Sequence, residues 1–222
     1  MATSFINKAS KEVGTTPVAM YSTPSNSKSI LIGANIANVT GSTVPFDIYV
    51  TKTPATTTTT YTVTAAGGKY YIDGVINPTL TFIKGHTYIF DLSDSSNATH
   101  PLRFSTTSDG IHGGGVEYTT GVTVTGTQGQ AGAKVTIVVD SNAPSTLYYY
   151  CVNHSGMGNS ITVNNVTYTD YYVVKYYRVE TGNNVEIMKG NKLVLDNNDV
   201  VYVKSQVNNS IDVVLSILSG VT

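Results

Sequence analysis

The chain of 222 residues is short of four things that usually stabilise or address a protein. It has one cysteine, so no internal disulfide can form and stability must come from apolar cores. Charged residues make up 12%, about half the ordinary globular share, and the formal net charge is −1. That balance gives no electrostatic basis for nucleic-acid binding or for an anionic membrane surface. No apolar run is long enough to span a bilayer, so no membrane insertion is expected. The opening "MATSFINKASKEVGTTPVAM" lacks a charged segment, an apolar stretch and a small-residue cleavage site in that order, so a signal peptide is not expected.

What is present is β-forming sequence. Apolar residues alternate with period two nearly everywhere, and no long window has helical period. "SILIGANIANVTG" sets Ile30, Ile32, Ala34 and Ile36 on one face, and "VPFDIYV" does so with Val44, Phe46, Ile48 and Val50. Gly41-Ser42 between them predicts a hairpin turn. A second hairpin is predicted about Lys84-Gly85, with Tyr88, Phe90 and Leu92 facing inward. Val135, Ile137 and Val139 predict another inward face, as do Ile211, Val213, Leu215 and Ile217 near the end.

The Thr-rich "TKTPATTTTTYT" marks a linker or domain crossing. Two N-terminal strands alone expose an apolar face and need partners, which the C-terminal strands supply. The expected fold class is therefore all-β: a discontinuous β-sandwich of residues 1–58 and 166–222, with a second β domain inserted at 59–165. A single long sandwich built from all three segments is the alternative.

One stretch carries chemistry. "TLYYYCVNHSGMGNS" holds Cys151, His154 and Met157 at spacings of three, and His100 in "ATHPLRF" lies 51 residues before the cysteine. Type 1 copper sites combine two imidazoles, a thiolate and a weak thioether, because soft sulfur suits Cu(I) and imidazole suits both oxidation states. Strand parity turns Leu147, Tyr149 and Cys151 to the core and Tyr148, Tyr150 and Val152 outward. Gly156 and Gly158 allow a tight loop. Cysteine and methionine are also ordinary core residues, so the same four side chains could brace strands without an ion.

His86 reads as structural, and Asp91 and Asp94 as turn residues. His112 lies in the Gly-rich "DGIHGGGVEY", which no helix follows, so a phosphate cradle is not expected. No nucleophile elbow or paired acids stand out, and no enzymatic activity is expected. The Asn-x-Ser/Thr matches at Asn38, Asn97, Asn165 and Asn208 read as composition.

Residues 61–164 resemble a cupredoxin (blue-copper) domain, with the Cys-x2-His-x2-Met spacing of the amicyanin type. The resemblance implies a Greek-key β-sandwich with His100, Cys151, His154 and Met157 as copper ligands. The flanks, "TTPVAMYSTPSNSKSILIGANIANVTGSTVPFDIYVTK" and "VEIMKGNKLVLDNNDVVYVKSQVNNSIDVVLSIL", resemble segments of virion structural proteins of tailed phages, especially those of marine cyanobacteria. That resemblance implies a virion component (capsid decoration, collar, tail or baseplate), assembled in the host cytoplasm. Its partners would be other virion proteins, further copies of itself as a homo-oligomer, and the host cell surface. Tyr148, Tyr150, Tyr171 and Tyr172 would suit such contacts if exposed, or would pair across strands. The alternative function is blue-copper electron transfer.

Overall fold

The computed structural model describes residues 3–221, and these form an all-β protein without α-helices. No helix among the described residues is long and apolar enough to cross a membrane. Residues up to Pro54, together with those from Tyr168 onward, form one compact unit (the terminal unit); Ala55–Thr167 form another (the central unit).

The strands of the terminal unit begin with β1 (Ser4–Val13), β2 (Val18–Ser22), β3 (Lys28–Asn38) and β4 (Val44–Lys52). The central unit then contributes β5 (Thr58–Ala66), β6 (Lys69–Ile72), β7 (Val75–Ile76), β8 (Leu80–Ile83), β9 (Thr87–Asp91), β10 (Leu102–Ser105), β11 (Val122–Thr125), β12 (Lys134–Val138), β13 (Thr146–Cys151) and β14 (Asn159–Asn164). The chain returns to the terminal unit with β15 (Thr169–Val179), β16 (Asn184–Glu186), β17 (Leu193–Leu195), β18 (Val200–Ser205) and β19 (Ile211–Val221).

In the terminal unit one sheet runs β1-β19-β3-β16, with β17 also on β3, and the other runs β15-β4-β18-β2. N- and C-terminal strands interleave in both, as the shortage of partners for two strands predicts. Leu31, Ile36, Leu215 and Ile217 from the first sheet share a core with Phe46, Ile48, Val201 and Val203 from the second.

The predicted hairpin at Gly41-Ser42 does not form, because β3 and β4 lie in different sheets. The chain instead changes sheet through a turn held by Asn38. Its Oδ1 accepts the Thr40 N–H at 2.8 Å, and its Nδ2 donates to Ser42 O and Val179 O. The face predicted for β3 is also half wrong. Ala34 and Ile36 are buried, but Leu31 is buried in place of Ile30 and Ile32. Register against β19 slips between Leu31 and Gly33, a bulge of one residue that reverses side-chain parity.

In the central unit one sheet runs β10-β13-β14-β8 and the other β11-β12-β9-β5-β6-β7, with parallel pairing of β14 to β8 and of β5 to β9. The second predicted hairpin is likewise a change of sheet, since β8 and β9 do not pair. Part of the Thr-rich tract is strand rather than linker: Thr58–Thr62 pair with Thr87–Asp91. Phe82, Tyr88, Phe90 and Phe104 stack together at centroid separations of 4.0–6.4 Å, at the centre of a core fed by both sheets.

The tyrosines divide. Tyr171 and Tyr172 are both exposed, but Tyr172 also lies tilted against Tyr49 at 5.4 Å, and Tyr49 stacks on Tyr202 at 5.3 Å, a row of rings across β15, β4 and β18. Tyr148 is half-buried. Tyr150, predicted to face outward into solvent, is buried: its outward face is covered by the segment around Gly110.

Candidate metal centre

The antiparallel pairing of β10 with β13 closes the 51-residue gap between His100 and Cys151. Leu102 is opposite Cys151, and Val152 N–H donates to Pro101 O at 2.9 Å. His100, two residues before β10, therefore lies at the same end of the sheet as the loop that follows Cys151. That loop joins β13 to β14, whose register sets Tyr149 opposite Asn159. Gly158 is required in it, because a Cβ there would lie 1.6 Å from the Tyr149 carbonyl oxygen.

His100, Cys151 and His154 offer ligand atoms that all lie within 4.8 Å of one another, and the group could hold a metal ion. Cys151 Sγ is 3.8 Å from His100 Nδ1 and 3.6 Å from His154 Nδ1. For zinc, bonded to thiolate and imidazole at about 2.3 and 2.0 Å, trigonal or tetrahedral geometry separates the sulfur and nitrogen donors by about 3.5–3.8 Å. Copper held by the same donors needs a comparable spacing, so the set is compatible with copper. Cys151 is buried, His100 half-buried and His154 exposed. Met157 is fully buried in the same apolar core as Cys151.

Burial, and secondarily the neighbouring His154 ring 4.7 Å away, hold the His100 imidazolium below its ordinary pKa. The neutral ring that results is the form that binds metals. The turn that carries His100 is anchored by Asn97. Its Nδ2 donates to Val63 O at 2.7 Å, and its backbone carbonyl accepts the His100 N–H at 2.9 Å. Asn97 is fully buried, so this Asn-x-Thr match is closed to glycosylation. Asp94 Oδ1 caps the same turn at Ser96 N–H, and Asp91 Oδ1 accepts from Ser93 N–H, both in the expected turn role. His86 sits apart, with its Nδ1 bonded to Thr57 Oγ1 at 2.6 Å. His112 Nε2 is 3.0 Å from the Cys151 carbonyl oxygen.

Sequence reasoning missed Tyr70. Its hydroxyl donates to His100 O at 2.8 Å and its backbone N–H donates to Met157 O at 3.1 Å. Burial, together with the adjacent Cys151 side chain, pushes the phenol pKa far up and keeps it protonated. One fully buried residue thus links, through its hydroxyl, its ring and its backbone N–H, the segments that carry three of the four expected ligands. Only the inward alternation of Tyr70 and Ile72 could have signalled its burial; nothing in the spacing signals its contacts.

The chain matches no protein-family model and no curated protein.

Proposed function

We propose that the central unit is a cupredoxin-like β-sandwich that binds copper, displayed by a non-enzymatic structural component of a phage virion. The observation that carries the metal reading is the convergence of His100 Nδ1 and His154 Nδ1 on Cys151 Sγ at distances one ion would impose. His100, Cys151 and His154 would hold the ion, with Met157 as the weak thioether donor. Bound copper would supply one-electron redox chemistry. The chain's own residues supply the frame: Tyr70 and Asn97 orient the His100 turn, and β13 fixes the thiolate in the core.

The virion reading rests on the resemblance of the flanks, and the terminal unit supports it physically. Among the described residues its two longest edge strands, β1 and β15, each pair on one side only. Unpaired edges are surfaces on which symmetric assemblies close. A free blue-copper electron carrier is the second reading, favoured by the exposure of His154, which brings one ligand to solvent.

Particles banded on a density gradient test both halves. The chain is expected among the particle proteins, with copper in proportion to its copies. A chain found only in the unassembled fraction would contradict the virion reading, and particles carrying the chain without copper would contradict the metal reading.

A further inference from the structure

We infer that the Gly-rich segment Thr107–Gly115 is a clamp on the loop between β13 and β14, with Asp109 and His112 as positioning residues for the metal ligands. The inference takes its purpose, though not its geometry, from the metal-binding reading above. "TSDGIHGGG" suggests no role by itself: it precedes no helix and contributes nothing to the ligand set. The structure nevertheless puts two of its side chains on that loop, one at each end.

His112 reaches the first ligand. A carbonyl oxygen only accepts, so the 3.0 Å contact to Cys151 O requires that His112 Nε2 carry the proton and donate. Asp109 reaches the far end, where its Oδ1 accepts the Gly156 N–H at 2.9 Å, one residue before Met157. Between these two contacts Gly110 lies flat on the ring of Tyr150, and a Cβ there would come within 2.5 Å of the ring carbons. Asp109 and Gly110 both adopt φ of 57°, a left-handed turn that aims the Asp109 carboxylate at the loop.

The clamp is itself fastened to the sheet. Ser105, the last residue of β10, donates from Oγ to Val116 O at 2.7 Å, and Tyr118 N–H donates to Phe104 O at 2.7 Å. Arg103 on β10 pairs with Glu117 at 3.2 Å. The strand that follows His100 thus also anchors the segment that grips Cys151 and Gly156. Asn153 Nδ2 adds a tie from the loop to Thr99 O at 2.9 Å, and Lys69 Nζ bonds Gly156 O. A loop fixed this way keeps its donors converged before any ion arrives, and groups that orient first ligands commonly set metal affinity.

Four variants test the clamp. Asp109→Ala and His112→Phe remove the contacts; Asp109→Asn keeps an acceptor oxygen and tolerates positive φ, and His112→Gln keeps an N–H donor. In metal-free protein, exchange of the Gly156 amide is expected to accelerate about fivefold or more in Asp109→Ala, the effect of losing one ordinary hydrogen bond. Asp109→Asn is expected to restore it. Copper affinity is expected to fall about 10- to 100-fold in Asp109→Ala and His112→Phe, with a shifted thiolate-to-copper band, and to recover in the conservative pair.

Wild-type amide exchange and wild-type affinity in Asp109→Ala and His112→Phe would overturn the inference, as would equal losses in the conservative variants. If wild-type protein binds no copper, the metal reading fails, and Gly156 exchange still decides the clamp. If Asp109→Ala does not fold, the affinities of His112→Phe and His112→Gln decide it in protein that binds copper. In protein that binds none, His112→Phe decides it through the same Gly156 amide, which must exchange faster if the segment is held at both ends.

Discussion

The terminal and central units solve one problem, an apolar core fed by two sheets, with different side chains. The terminal unit fills its core mainly with Ile, Val and Leu; the central unit uses Tyr70, Phe82, Tyr88, Phe90, Phe104 and Tyr149. Their buried polar groups differ more. In the terminal unit Asn38, Asp47, Ser205 and Ser210 pin bulges and sheet changes. Asp47, for example, accepts the N–H of Tyr176, whose φ of 53° marks an irregularity in β15. In the central unit the buried polar residues among those described are Asn97 and Ser105. One holds the turn bearing His100, and the other holds the segment that grips Cys151. Buried polarity serves regularity of the frame in one unit and a site in the other.

Replacing a central ring should have the largest effect. Phe90→Ala is expected to destabilise the central unit by about 3–5 kcal/mol, because three aromatic neighbours cannot collapse into the space. Each unit has its own core, so calorimetry should show the loss in one transition; an equal fall in both would erase the comparison. Asp47→Ala should cost the terminal unit about 1–3 kcal/mol, since it strands the Tyr176 N–H and Gln206 Nε2.

A matched pair of hydroxyl deletions sharpens the contrast. Tyr70→Phe and Tyr21→Phe each remove buried hydrogen bonds, to His100 O and to Ser29 and Ser219, at about 1 kcal/mol each. Only Tyr70→Phe should also weaken copper binding, and an equal effect on copper titrations from both would break the distinction.

Acid should give the smallest effect. Lys52 and Lys28 hold the largely exposed Asp196 carboxyl below its ordinary range. A depressed folded pKa means that the stabilisation is full above the unfolded value and disappears as pH falls through the folded one. Asp196→Asn should therefore flatten part of the terminal unit's loss of stability below about pH 4, by a small margin given solvent screening. An unchanged acid profile would count against the pairing.

Much of this was legible from alternation and spacing. The inward residues expected on β4, β9, β12 and, as far as Ile217, β19 follow period two, and burial agrees with them. His100, Cys151 and His154 were found from donor chemistry, and antiparallel register brings them together. What was illegible depends on distant partners. Short turns at Gly41 and Gly85 look the same whether the chain folds back in one sheet or crosses to another. The bulge at Ile32–Gly33 reverses parity for reasons set by β19, more than 180 residues away. Tyr150 is buried by a segment about 40 residues upstream, and Tyr70 reaches the site through contacts that no local pattern encodes.

The most direct test of the central claim is titration of the purified chain with Cu(II), followed by visible absorption beside a Cys151→Ser variant. An intense thiolate-to-copper band that saturates at about one ion per chain, absent from the variant, is the predicted result. A colourless wild-type protein, or equal binding by Cys151→Ser, would contradict it.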